Sequence, residues 1–380
     1  MEEVPFEDRH VPCVEIDWER STWWWYPVTR AIGPAVRMNA LAVGLIAILL
    51  SWAGLRIGER LFSPAWQPSW EVESPPAASA IYIPRIVNWG VDLQKSLLSF
   101  ERMGWSELGF LTFELLWLTM TFALLGGVLA RRSLVELGQR TVSAWGEALS
   151  IVFSRWQSYL WSMGMHFVAI AGLLVPFFIL GLLSRLGTFG AILSGVLLLL
   201  SFPLVFAIGR FVLSAIVCFP LSVCAIAAEK KADAFEGFSR SNAYFFQRPL
   251  LVALLVACLL LVGMVGELLV FWTITSGWWL MRGAYLIAVA SVQPAAGSYV
   301  AAGNWLSENL LVAYWFSFLW SAAAAIYLIV RKSVDGVELD QLDSLESSVQ
   351  ISLPEIPSTP PPPTPESTSS ETTTTEPTDS

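Results

Sequence analysis

A chain of 380 residues that is 55% hydrophobic and 14% charged, with a mean hydropathy of +0.60, carries too much apolar surface for an ordinary water-soluble domain. Its net charge of −9 does not point to a basic partner, because much of it lies in an acidic C-terminal stretch while the segments flanking the apolar runs carry Lys and Arg, and no nucleic-acid partner is expected. Three of the four cysteines, Cys218, Cys224 and Cys258, fall inside apolar runs, where they behave as small hydrophobes and imply no disulfide framework; Cys13 is the fourth.

Residues 1–35 read as a polar cytoplasmic segment without the early hydrophobic region of a cleavable signal peptide, so insertion falls to the first membrane helix. His10 and Cys13 form an isolated H-x-x-C, too few ligands for a zinc site. Trp23, Trp24, Trp25 and Tyr26 precede the first apolar run and are expected at headgroup level.

A membrane-crossing helix needs about 20 apolar residues. Residues 38–57, 108–130, 159–184, 249–273 and 309–330 meet that length within one domain, 36–332. An outer loop, 58–105, carries Trp66, Trp70 and Trp89 and is long enough for a small cap. The run 187–228 is about twice as long as one crossing requires. Lys and Arg collect on the cytoplasmic side of membrane proteins. If 187–228 crosses once, fourteen Lys and Arg face inward and seven outward, with Arg210 unassigned; if it crosses twice, the bias disappears. The expectation is therefore an all-α membrane bundle of six spans with both termini cytoplasmic. The excess length is taken up by a bent or re-entrant helix broken near Pro203, Gly209 or Pro220, with its freed backbone groups buried against protein.

Two cytoplasmic segments read as amphipathic helices lying in the interface plane as elbows. In residues 227–250, Phe235, Phe238, Phe245, Phe246 and Pro249 fall on one side, opposite Asp233, Glu236, Arg240, Gln247 and Arg248. In residues 142–156, a shift of 93 positions superposes Val142 on Phe235, Trp145 on Phe238, Phe153 on Phe246 and Arg155 on Arg248. This suggests parallel repeats, 108–184 and 187–273, each a span, an elbow and a span. The alternative, that any loop helix beside a membrane looks amphipathic, stands beside it. The elbow residues singled out are Glu147, Arg155, Arg240, Ser241, Tyr244 and Arg248.

The second elbow, with Gly237, Phe238, Ser241, Tyr244 and Arg248, resembles the membrane domain of glycerophosphoryl diester phosphodiesterases, with Gly237 where that pattern has Ala. GGVLARR (126–132), SRSNAYFFQRP (239–249) and IYLIVRKSVDGVELD (326–340) are similar to segments of an uncharacterised bacterial family of multi-pass membrane proteins, over most of 105–340. The resemblance implies the bacterial cytoplasmic (inner) membrane and transfers no chemistry, since phosphodiesterase catalysis belongs to a separate soluble domain.

Ionisable groups at membrane depth are functional candidates by default. Glu114 and Glu267 are placed in the outer third, where a shared polar cavity would let them bind a cation or pass a proton. The plainer reading is that each is hydrogen-bonded or reaches the outer interface, with Arg185 or Arg282 as counter-ion. His166 reads as a packing residue or inter-helix hydrogen bond, and Arg210 as the inner end of the bent helix. No nucleotide-binding loop, G-x-S-x-G or HExxH is present, and Asp335, Glu338, Asp340 and Asp343 lack the spacing of a calcium loop. No cofactor is expected. Trp278 and Trp279 are expected just after the fifth span. Residues 333–380 form an acidic tail, from Ser347 rich in Pro, Ser and Thr, whose composition predicts disorder. The expected function is a non-enzymatic scaffold or accessory subunit, with a membrane or soluble protein partner through the tail or outer loop. The rival is a small-solute or ion transporter using Glu114 and Glu267.

Overall fold

The computed structural model describes residues 25–62, 104–229, 232–288 and 294–342. The outer loop's Trp66, Trp70 and Trp89, the H-x-x-C of His10 and Cys13, and the tail from Asp343 onward lie outside them. The described residues form eleven helices, in chain order α1 (Tyr26–Arg30), α2 (Ile32–Ala35), α3 (Met38–Phe62), α4 (Trp105–Gln139), α5 (Trp145–Ser154), α6 (Trp156–Leu183), α7 (Gly187–Leu200), α8 (Phe202–Ala228), α9 (Ala234–Gln247), α10 (Pro249–Ala288) and α11 (Pro294–Asp335). Six of them, α3, α4, α6, α8, α10 and α11, are long and apolar enough to cross a membrane, which makes this an integral membrane protein of the all-α class.

The bundle is built around α11, whose most apolar stretch is 89% buried; the corresponding stretch of α6 is 6% buried. Helices α3, α4, α8 and α10 pack on α11. In a bilayer the hydrophobic effect does not drive helices together, so close backbone approach at small residues must supply the contact. Gly44 of α3 abuts the Ala313 carbonyl, Gly126 of α4 the Trp320 ring, and Gly263 of α10 the rings of Phe318 and Trp315. Gly127, one position beyond Gly126, turns to the other side of α4 and receives Tyr159 of α6. The paired glycines thus let α4 touch two neighbours at once.

The run 187–228 is a single bent traverse. Three contacts tie it antiparallel to the α6 segment along the whole length: Arg155 to the Glu229 carbonyl, His166 to Ser214, and the Leu180 carbonyl to Ser194. The bend falls at Ser201, just before Pro203, whose ring cannot continue a preceding helix. One expectation is corrected here. The freed backbone groups are not buried against protein, since Leu199, Leu200 and Phe202 around the bend are all more than 70% exposed. The turn satisfies them itself: the Ser201 amide donates to the Leu197 carbonyl at 2.9 Å, the Ser201 hydroxyl to the Leu198 carbonyl at 2.7 Å, and the Leu204 amide to the Ser201 carbonyl at 2.9 Å.

Helices α10 and α11 are 40 and 42 residues long, well beyond the spans read from hydropathy. They continue because each packs on the other: Trp278 Nε1 donates to Asn304 Oδ1 at 2.7 Å and its ring lies against Gly303. Trp278 and Trp279 are therefore inside α10 and do not follow it.

Residues 26–35, within the stretch 1–35 read as a polar segment, fold into α1 and α2 and pack against α10 and α11. Tyr26, Val28, Ala31 and Ala35 are buried. The Tyr26 hydroxyl donates to the Leu137 carbonyl, and the Arg30 and Arg140 guanidinium groups lie over its ring. The Ser321 hydroxyl donates to the Ala31 carbonyl at 2.6 Å. Tyr26 is thus a packing residue, while Trp25 beside it is 41% exposed.

An ideal Cβ on Gly126 would sit 2.0 Å from the Trp320 ring, whereas one on Gly195 meets nothing within 4 Å. Gly126→Ala is expected to destabilise the protein by about 1–3 kcal/mol, seen as a lower unfolding temperature in detergent, and Gly195→Ala is expected to leave it unchanged. Equal melting of the two variants would show that the Trp320 contact does not hold α4 to α11.

Candidate functional site

Several charged side chains meet at the end of the bundle where both elbows lie. Helix α9 starts at Asp233, whose carboxylate accepts the Glu236 amide at 2.8 Å, an N-cap that fixes where the elbow begins. Both elbows end at an arginine in a similar backbone conformation, Arg155 at φ −122° and ψ 27° and Arg248 at φ −131° and ψ 52°, and each leads directly into a long apolar helix.

The buried stripe of α9 is Ala234, Gly237, Ser241, Tyr244 and Phe245. Phe235 is 64% exposed. Small residues won the inward face because α9 lies tight on α8: a Cβ at Gly237 would come within 3.0 Å of the Ser222 carbonyl oxygen. Phe238 turns sideways against His166 and Phe211.

Glu229, the first charged residue after α8, is the hub of the junction. Its carboxylate accepts from Arg240 of α9 and lies 3.7 Å from Arg331 of α11, and its carbonyl accepts from Arg155 at 2.7 Å. Arg240 also pairs with Glu236. Arg131, almost fully buried on α4, donates to the Ala227 carbonyl at 3.0 Å and to Glu147 of the first elbow at 3.3 Å. Tyr244 donates to Asp335 at the end of α11; burial and this hydrogen bond push its phenol above its ordinary pKa. Ser241 is fully buried and donates to the Phe238 carbonyl at 3.0 Å. Five of the six elbow residues, Glu147, Arg155, Arg240, Ser241 and Tyr244, are thereby bonded within this end of the bundle; Arg248 forms the second hinge.

The intramembrane candidates do not form a common site. Glu114 and Glu267 are both buried, on α4 and α10, two helices that share no extensive packing with each other although both pack on α11. Glu59 of α3 is the charge near Glu114, whereas Glu267 lies by Tyr314 of α11. His166 is fully buried and bridges three elements: its Nδ1 is 3.0 Å from the Ser162 carbonyl, its Nε2 is 3.1 Å from Ser214 Oγ, and Ser214 donates to Asn242 of α9 at 2.6 Å. Arg210 does not end its helix, which runs on to Ala228; its guanidinium lies 3.9 Å over the Phe246 ring. Among the described residues no group of three or more His, Cys, Asp or Glu could hold a metal ion. Asp335 and Glu338 are engaged by Tyr244 and Lys332.

Sequence reasoning missed Glu229 and the α1–α2 insertion. The one available sign of Glu229 was its position as the first ionisable residue after an apolar run of about forty residues. Comparison with family models, with curated proteins and with solved structures finds no match for this chain.

Glu229→Gln is expected to cost about 1.5–3 kcal/mol, because two guanidinium groups at a poorly solvated junction lose their charged acceptor. Glu236→Gln removes only a half-exposed pair on one helix and should cost under about 0.5 kcal/mol. Thermal unfolding of both variants in detergent checks the contrast, and similar losses would show that Glu229 is not the hub.

Proposed function

We propose that this chain is a non-enzymatic integral protein of the bacterial cytoplasmic membrane, with both termini cytoplasmic, acting as a scaffold or accessory subunit of a membrane complex. The observation that carries the reading is the use made of polar side chains within the apolar layer. His166, Ser214 and Asn242 tie α6, α8 and α9 together; Ser194 ties α7 to α6; Tyr314 ties α11 to the Gly263 carbonyl at 3.0 Å; and Ser321 ties α11 to the chain at Ala31. These are bonds that hold helices in place.

Orientation follows from charge. The elbow end carries Arg30, Arg37, Arg131, Arg132, Arg140, Arg155, Arg240, Arg248, Arg331 and Lys332, against Arg56, Arg60, Arg185 and Arg282 at the opposite end. That bias favours a cytoplasmic elbow end. The similar conformations of Arg155 and Arg248 support reading the two span–elbow–span units as parallel repeats. The bacterial assignment rests on the resemblance to the bacterial multi-pass family. Against a transporter built on Glu114 and Glu267 stands the arrangement of the helices that carry them, α4 and α10, which both pack on α11 and share no extensive packing with each other.

Affinity purification from native membranes is expected to recover a membrane or soluble protein in fixed ratio to this chain. Proteoliposomes carrying the purified protein are expected to behave alike for wild type, Glu114→Gln and Glu267→Gln. Ion or solute flux that either substitution abolishes would replace the scaffold reading with transport.

A further inference from the structure

We propose that the exposed seam between α8 and the end of the second elbow holds the headgroup of an anionic phospholipid through Arg210 and Arg248. Both side chains are exposed, and among the described residues neither forms a hydrogen bond or an ion pair. The Arg210 guanidinium carbon lies 3.9 Å from the centre of the Phe246 ring, which covers one face of the group and leaves its N–H edge open. Arg248 follows Phe246 by two residues, at the hinge where α9 ends. A guanidinium carries five N–H donors in a planar fork that matches two phosphate oxygens, and an exposed one on a membrane protein finds its acceptors in headgroups or water. The two hinge arginines share a backbone conformation but not a role: Arg155 donates to the Glu229 carbonyl at 2.7 Å, whereas the Arg248 side chain meets no acceptor among the described residues.

The surroundings set the ligand class. Helices α6 and α8 carry no carboxylate along their lengths, α10 carries none before Glu267, and Glu236 of α9 is already paired with Arg240. The apolar neighbours say which anion fits. Phe206 and Leu213, about one turn to either side of Arg210 on the same face of α8, are exposed, and so are Leu250 and Leu254 beyond Arg248. A ligand with an anionic head and acyl chains meets the arginines and these side chains together, whereas a soluble anion meets the arginines alone.

The test uses the full chain in detergent, titrated separately with phosphatidylglycerol, phosphatidylcholine and inorganic phosphate, with bound species counted by native mass spectrometry. Wild type is expected to prefer phosphatidylglycerol. Arg210→Gln and Arg248→Gln should each weaken its binding roughly fivefold, the effect of one basic group near a lipid surface. Arg210→Lys, which keeps the charge but not the fork, should weaken it less. Arg185→Gln removes an exposed arginine at the opposite end of the bundle and should leave binding unchanged. The Arg248 side chain bonds to nothing among the described residues, so Arg248→Gln decides the matter even if Arg210→Gln, which vacates the Phe246 ring, does not fold. Phosphatidylglycerol binding that either folded glutamine variant leaves unchanged, or that Arg185→Gln weakens as much, would overturn the site, as would equal binding of phosphatidylcholine by wild type. Inorganic phosphate binding as tightly as the lipid would overturn the lipid assignment in favour of a soluble phosphate.

Discussion

The structure depends on how closely other helices can approach α11. A bilayer offers no solvent that penalises separated apolar helices, so association rests on dispersion contacts, which fall away steeply with distance, and on a few hydrogen bonds. Glycine removes the atoms that would keep the helices apart. At Gly44 the α3 backbone meets the α11 backbone, and at Gly126, Gly263 and Gly266 large aromatic rings of α11 occupy the space a side chain would fill. The aromatic residues of α11, Tyr314, Trp315, Phe316, Phe318 and Trp320, are thus held in slots provided by its neighbours. Helices without such slots, α6 over most of its length and α7, remain open to lipid.

The elbow end solves a different problem. Helices that enter and leave the bundle there bring charged residues together, the most buried of them Arg131, and these pair locally. Glu229 answers two arginines from different helices, and Arg131 answers a helix-terminal carbonyl and a carboxylate on the first elbow. The elbows are consequently fixed to the spans by charge-assisted hydrogen bonds and not by apolar burial alone. The insertion of α1 and α2 closes this end from another side through Tyr26, which bonds α4, and Ala31, which bonds α11.

Span number, the elbows and a bend in the 187–228 run could be read from the chain because they rest on local rules: apolar length, a helical period and the geometry of proline; that it falls at Pro203 and not at Gly209 or Pro220, both inside α8, could not. Features that could not be read depend on neighbours. Residues 25–36 are too short and too polar at their flanks to register as a membrane element, yet a groove between α10 and α11 accepts them. The aromatic side of α9 is legible as one face of an amphipathic helix, but that its packed stripe runs through Gly237 depends on the clearance against α8, where a Cβ would come within 3.0 Å of the Ser222 carbonyl oxygen. Glu114 and Glu267 share a depth by hydropathy, and only the placement of α11 reveals that they are not neighbours. Arg210 looked like a boundary because charges usually mark helix ends; here an aromatic ring from the second elbow receives it inside the helix.

The lengths of α10 and α11 have a consequence for the surrounding lipid. Forty residues at about 1.5 Å each make a rod of about 60 Å, twice the roughly 30 Å of a hydrocarbon core. Such a rod meets the bilayer only by leaning strongly or by emerging from it, and its apolar outer half, with Trp279, Leu280 and Met281 exposed, resists emerging. Hydrophobic mismatch therefore couples the tilt of the α10–α11 pair to membrane thickness, and through the packing of α11 that coupling reaches α1, α2, α3, α4, α8 and α9.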